Sequence, residues 1–127
     1  MSVPHILVAE DELDIRELIA IALQLSGYRV TQAQNGQEAI QKAKELVPDL
    51  ILLDVRMPRM TGYEACEVLK TDAATGHIPI VFLSAKGQEA EIKQGKNLGA
   101  EAYFLKPFAP DELSENVRKI LAKYNKL

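Results

Sequence analysis

Four apolar runs in this chain each end on a reactive polar residue. Ile6-Leu7-Val8-Ala9 runs into Glu10-Asp11, Leu50-Ile51-Leu52-Leu53 into Asp54, Ile80-Val81-Phe82-Leu83 into Ser84, and Ala102-Tyr103-Phe104-Leu105 into Lys106-Pro107. Short apolar runs separated by helix-length segments mark buried parallel strands. A fifth run, Tyr28 to Ala33, alternates polar and apolar and ends on nothing reactive. That pattern predicts an edge strand with one wetter face.

Helical periodicity fills the segments between. The first helix is expected over roughly Leu13 to Leu25, with Ile15, Leu18, Ile19, Ala22 and Leu25 on its inner face and Gly27 as its C-cap. The second begins near Asn35-Gly36, with Asn35 as N-cap, an inner stripe of Ala39, Ala43, Leu46 and Val47, and Pro48 as its stop. The third runs from about Gly62 to Thr71, turning Ala65, Cys66 and Leu69 inward. A fourth, near Gln88 to Leu98, carries Gly95 inside and only Ile92 and Leu98 as large anchors, so its stability is expected to be marginal. The fifth starts at Pro110-Asp111-Glu112 and buries Leu113, Val117, Ile120, Leu121 and Tyr124.

Strands and helices therefore alternate five times. The reactive strands 1, 3 and 4 should be neighbours, which favours an α/β, flavodoxin-like (βα)5 three-layer sandwich with parallel strand order 2-1-3-4-5 and right-handed crossovers. A parallel sheet gathers its carboxyl ends along one edge, where open α/β sheets bind ligands. Three acids, a hydroxyl and an ammonium are thus expected to meet there.

Composition narrows the classes. The 127 residues suit one domain, and 47% hydrophobic with 26% charged residues is ordinary for a globular protein. No apolar run reaches the roughly 20 residues that span a bilayer. The N-terminus lacks the basic start and long apolar stretch of a signal peptide. A net charge of −3 argues against nucleic acid as a direct partner. Cys66 is the only cysteine, so no intrachain disulfide can form, and a cytoplasmic, reducing location fits. Its i, i+3 spacing from Leu69 assigns it to the core.

The chemistry lies at the strand ends. Like unit charges about 4 Å apart repel by roughly 4 kcal/mol at an effective dielectric near 20, so three acids in one pocket need a cation or a shared proton. Oxygen ligands without His or Cys suit Mg²⁺ or a similar hard ion such as Mn²⁺. Asp11 and Asp54 are the expected direct ligands, with Glu10 through water. The Glu10-Asp11-Glu12 run could alternatively do no more than charge a helix start, and Asp54 could be a cap or turn residue before Met57-Pro58. A carboxylate can also be a nucleophile toward phosphorus, giving an aspartyl phosphate. Lys106 could pair with Asp54 before reaction and with a phosphate oxygen after it. Ser84 can bond a phosphate oxygen, although a strand-end Ser is mostly a turn residue. Pro107 makes a defined turn after Lys106 and is a candidate cis bond.

The acidic pair after strand 1, Asp54 followed by Met57-Pro58 and Gly62, Ser84-Ala85 after strand 4 and Lys106-Pro107-Phe108 after strand 5 together resemble the response-regulator receiver domain, over essentially the whole chain. The resemblance implies that Glu10 and Asp11 bind Mg²⁺ with Asp54 and the backbone carbonyl of Arg56. It implies that Asp54 is the phosphoacceptor, Ser84 the switch hydroxyl, Tyr103 the switch aromatic and Lys106 the phosphate-binding lysine. The donor would be a histidine kinase or phosphotransfer protein. The output would be a downstream protein target reached through helix 4, strand 5 and helix 5, or an output domain absent from this chain. Tyr103 is expected to turn from an exposed to a buried rotamer when Ser84 moves. Arg56 and Lys86, two residues after Asp54 and Ser84, are expected to modulate the lifetime of the phosphoryl group, or else to be solvated cations.

Three competing readings fare less well. An aspartyl-phosphate phosphatase usually has a second Asp two residues after its nucleophile, where this chain has Arg56. A flavodoxin-like FMN carrier needs a Ser/Thr/Gly-rich phosphate loop after strand 1, where this chain has three acids. A receiver-like module that works without phosphorylation usually loses an acidic or lysine position, and none is lost here. The chain stops soon after helix 5, which suggests either a stand-alone protein or an excised domain.

Overall fold

The computed structural model describes residues 3–85 and 89–127. Five strands, β1 (His5–Ala9), β2 (Arg29–Ala33), β3 (Leu50–Asp54), β4 (Ile80–Ser84) and β5 (Ala102–Leu105), alternate with α1 (Leu13–Leu25), α2 (Gly36–Leu46), α3 (Gly62–Thr71), α4 (Glu89–Asn97) and α5 (Pro110–Lys123). The strands form one parallel sheet in the order β2-β1-β3-β4-β5, as the sequence pattern predicted.

Alternation along the buried strands splits the core in two. Ile6, Val8, Leu50, Leu52, Val81 and Leu83 pack with Ile19 and Leu23 of α1 and Leu113, Val117 and Leu121 of α5. Leu7, Ala9, Ile51, Leu53, Ile80 and Phe82 pack with Ala39 and Ala43 of α2 and with Ala65, Cys66 and Leu69 of α3. Each central strand is therefore covered on both faces, which explains its unbroken apolar run. β2 is the wetter edge expected. β5 is the other edge, so its apolar residues are only half buried and Leu105 is exposed.

Register decides where the reactive residues fall. Ala9 pairs with Leu53 and Asp54 with Leu83, so Glu10 emerges beside Asp54. Ser84 pairs with Leu105, one residue before Lys106. A one-residue slip would send each of these side chains to the opposite face.

Helix bounds agree closely with the periodicity, but two inner faces do not. In α1 the buried residues are Arg16, Ile19, Ala20, Ala22 and Leu23, while Leu18 and Leu25 stand out at 51% and 85% exposure. Arg16, Ile19, Ala20 and Leu23 form an equally good i, i+3, i+4, i+7 stripe, and the cation belongs to it because its guanidinium has buried partners. In α2 the stripe is Gly36, Ala39 and Ala43, and Leu46 and Val47 are exposed. Val47 caps the helix in the left-handed region at φ 43, ending it before a further turn can cover the sheet. Asn35 is the N-cap foreseen, accepting from the Glu38 N–H. In α1, Ser26 is the C-cap and Gly27 follows it. Tyr124 caps α5 and is partly exposed, its hydroxyl donating to Glu101. In α4, Gln88 lies outside the described residues, and Ile92 and Leu98 are half buried.

A β-branched residue rarely tolerates positive φ, and left-handed backbone costs an L-residue roughly 1–2 kcal/mol. Val47→Gly should therefore raise the unfolding free energy by about 0.5–1 kcal/mol, after allowing for the greater freedom of glycine in the unfolded chain. Urea denaturation checks this, and an unchanged or lower midpoint would count against strain at Val47.

Candidate functional site

Glu10 is fully buried just past the end of β1. Its backbone is held on both sides. The N–H donates to the Ala33 carbonyl at 3.1 Å, and the carbonyl accepts from Arg16 Nη1 at 2.8 Å. Arg16 Nε donates to Gln32 Oε1 at 3.1 Å, so α1, β1 and β2 are tied together behind the acid. The Glu10 side chain receives Lys106 Nζ on Oε1 and the Glu12 N–H on Oε2 at 3.3 Å.

Asp54 closes β3 and is 5% exposed. Its Oδ1 lies 3.3 Å from Lys106 Nζ and accepts from the Arg56 N–H at 3.4 Å. The start of α3 seats against the Asp54 backbone. A Cβ on Gly62 would come within 2.2 Å of the Asp54 carbonyl oxygen, a separation no side chain could keep. Thr61 and Glu64 form a reciprocal capping box that fixes this helix start, and the Gly62 N–H donates to the Val55 carbonyl. The glycine that followed Met57-Pro58 in the sequence is thus a packing requirement of the acid itself.

Glu10, Asp11 and Asp54 bring carboxylate oxygens within 4.8 Å of one another. Their repulsion is offset by Lys106, which pairs with both buried acids. Sequence reasoning had paired Lys106 with Asp54 and missed Glu10. The consequences appear in the proton affinities. Burial, reinforced by the hydrogen-bonded Asp54 carboxylate and opposed by Lys106, pushes the Glu10 carboxyl up to about 8. Burial disfavours the charge on Lys106, but the Glu10 and Asp54 carboxylates outweigh it and raise its pKa. The all-oxygen donor set, without His or Cys, fits a hard divalent cation and not a soft one.

A cleft of about 260 Å³ opens above this cluster, lined by Asp11, Glu12, Asp54, Arg56, Ser84 and Lys106. Asp11 and Arg56 are exposed at its mouth. Ser84 is buried at the end of β4, and its carbonyl accepts the Lys106 N–H at 2.7 Å. The Lys106–Pro107 bond is cis. Lys86 lies outside the described residues.

Tyr103 sits away from the acids, on the α3 and α4 side of the sheet. It is half buried, its ring centroid 5.8 Å from that of Phe82, and its hydroxyl is hydrogen-bonded to the Tyr63 hydroxyl. The ring is thus already turned inward, not in the exposed rotamer expected before reaction. Arg16 and Tyr63 are the residues that sequence reasoning overlooked. Only the i+3 spacing of Arg16 to Ile19 hinted at the first, and nothing local marked the second.

The comparisons with known proteins agree with this geometry. The sequence pattern of the response regulator receiver domain matches residues 6–118. The phosphate regulon transcriptional regulatory protein PhoB of Pseudomonas aeruginosa is 43% identical over 118 residues, 93% of this chain and 52% of that protein. The transcriptional regulatory protein ResD of Bacillus subtilis is 42% identical over 118 residues, 93% of this chain and 48% of its own. The chain thus spans about half the length of the curated relatives it matches. Among solved structures, the Vibrio cholerae chemotaxis protein CheY4 superposes with a TM-score of 0.91 at 32% identity, covering 94% of this chain and 100% of that one. Among the described residues no helix is long and apolar enough to cross a membrane. With the receiver pattern running from β1 into α5 over a sheet of matching order, the chain belongs to the response regulator receiver domain family, the phosphorylation-activated switches of two-component signalling.

Proposed function

We propose that Asp54 is the phosphoacceptor of a cytoplasmic signalling domain and that its donor is a histidine kinase or phosphotransfer protein. The observation that carries this is the Asp54 carboxylate in the cleft, at the carboxyl end of a fully buried strand, with a lysine 3.3 Å away and two further carboxylates beside it. An Asp54 oxygen attacks phosphorus, the bond to the donor imidazole nitrogen breaks, and its electron pair returns to the ring. Magnesium or manganese would be held by Glu10, Asp11, Asp54 and the Arg56 backbone carbonyl. When bound, the ion supplies positive charge that neutralises the acids and the incoming phosphoryl oxygens. Lys106 moves from Asp54 Oδ1 to a phosphate oxygen, which costs little reorganisation because Glu10 keeps it aimed at the cleft. Ser84 donates its hydroxyl to a second phosphate oxygen and so draws on the end of β4.

The output we assign is a change in the α4, β5 and α5 surface, read by a protein target or by an output domain elsewhere in a longer protein. Arg56, exposed and lining the cleft, is assigned a part in setting how readily water attacks the aspartyl phosphate, as is Lys86. The domain in this reading is a phosphoacceptor that supports its own phosphorylation and autodephosphorylation.

Incubation with acetyl phosphate and Mg²⁺ should add one phosphoryl group by intact mass, and Asp54→Ala should add none. Amide exchange on the same sample should change over β5. A gain of mass that survives in Asp54→Ala, or no gain in the parent chain, would contradict the assignment.

Glu10 adds a pH dependence whose sign follows from its raised pKa. Its folded value of about 8 lies above its ordinary 4.5, so the protonated form is favoured by folding. That contribution to stability is complete below about 4.5 and is lost as pH rises through about 8 in metal-free protein. Metal binding must displace the same proton. Calorimetric Mg²⁺ affinity should therefore strengthen between pH 6 and pH 8, and Glu10→Gln should flatten that dependence. Equal affinity at both pH values would overturn the shared-proton picture.

A further inference from the structure

Three aromatic rings from three different elements meet on the α3 and α4 side of the sheet. Tyr63 stands in the first turn of α3, one residue after the glycine packed on the Asp54 carbonyl. Phe82 lies on β4, two residues before Ser84, and Tyr103 lies on β5. The Tyr63 and Phe82 centroids are 4.9 Å apart with planes at 73°, an edge-to-face contact, and Phe82 passes the stack on to Tyr103. Tyr63 and Tyr103 then close the triangle through their hydroxyls. Gly95 of α4 lies directly over it, for a Cβ there would meet Phe82 at 2.9 Å and the Tyr103 ring at 3.1 Å.

We infer that Tyr63 is a positioning residue of the switch. Its hydroxyl holds Tyr103 in the inward rotamer before any phosphoryl group arrives, and so couples the phosphoacceptor end of α3 to the α4 and β5 surface. This rests on the assignment of Tyr103 as the switch aromatic made above. The physical argument is one of linkage. The inward ring presents its hydroxyl to a half-buried region, where a polar group without a partner is costly. Tyr63 supplies that partner from an element that itself seats on Asp54. Whatever occupies the phosphoryl site and favours the inward ring must then bind more weakly once the partner is removed, because a smaller fraction of the chain holds the favoured arrangement. The rigid sides of the triangle are Phe82 and the Gly95 backbone, so the hydroxyl pair is the part that can open without unpacking the core.

The test uses the full chain labelled with 3-fluorotyrosine and observed by ¹⁹F NMR, its four tyrosines assigned by Tyr→Phe variants. Tyr63→Phe should move the Tyr103 resonance toward the position and H₂O/D₂O isotope shift of an exposed ring, in proportion to the inward population lost. It should also weaken binding of beryllofluoride with Mg²⁺ by roughly two- to fivefold, the equivalent of one net hydrogen bond. Tyr103→Phe should weaken it by the same factor, and the double variant by no more than either single one. An unmoved Tyr103 resonance in Tyr63→Phe overturns the inference, as does a moved resonance with unchanged beryllofluoride affinity or additive losses in the double variant. Failure of the parent chain to bind beryllofluoride at all would instead contradict the phosphoacceptor assignment, and the ¹⁹F comparison would still decide whether Tyr63 holds the ring.

Discussion

Among the described residues, three carboxylates share one strand edge with a single lysine, and most of what distinguishes this site follows from that imbalance. Like charges at this spacing repel by several kcal/mol in a partly buried site, with about 4 kcal/mol typical near 4 Å at an effective dielectric of 20. Lys106 pairs with Glu10 and Asp54 together, and the remaining excess is eased by holding a proton on Glu10. Such a cluster has the all-oxygen donor set that could hold a divalent cation. The same charge excess that makes the site costly makes it receptive.

The scaffold keeps this charge in place by backbone contacts more than by side chains. Arg16 fixes the Glu10 carbonyl, the Ala33 carbonyl fixes its N–H, and Gly62 allows α3 to seat directly on the Asp54 carbonyl. The Ser84 carbonyl accepts the Lys106 N–H, so the backbones that carry the hydroxyl and the ammonium are joined at the two strand ends. Beyond that rim lies the aromatic triangle. It occupies the same face of the sheet as α3 and α4, and Gly95 keeps it close under α4. Packing contacts thus run from Asp54 to the aromatic triangle through α3, while Phe82 of β4 stands two residues before Ser84.

Much of the fold was legible because parallel strands covered on both faces read as unbroken apolar runs, and the polar residues that end the runs gather at one edge. The order of the sheet followed from β2 lacking such an ending. Asn35, Gly62 and Pro110 marked three helix starts by local rules that tertiary contacts did not override. The inner face of α1 was misread for a definite reason. Arginine is seldom buried, so Leu18 and Leu25 looked like better core residues than Arg16, and only the carbonyl of Glu10 in three dimensions makes the cation welcome. The last turn of α2 was misread because Val47 ends the helix in a backbone conformation that valine seldom adopts. Tyr63 and the inward Tyr103 were invisible for another reason. Their contact joins residues 40 apart in sequence, and no local pattern encodes it.

The charge imbalance can be weighed directly by removing one negative charge and keeping the shape of the side chain. Thermal unfolding of Asp54→Asn, in chelator and then in excess Mg²⁺, makes that comparison at neutral pH. Relief of repulsion should raise the midpoint of the metal-free variant a few degrees above that of the parent chain, and Mg²⁺ should stabilise the variant far less than the parent. A lower midpoint for Asp54→Asn in chelator, or an undiminished response to Mg²⁺, would show that the acids at this edge are not the strained, cation-seeking group described here.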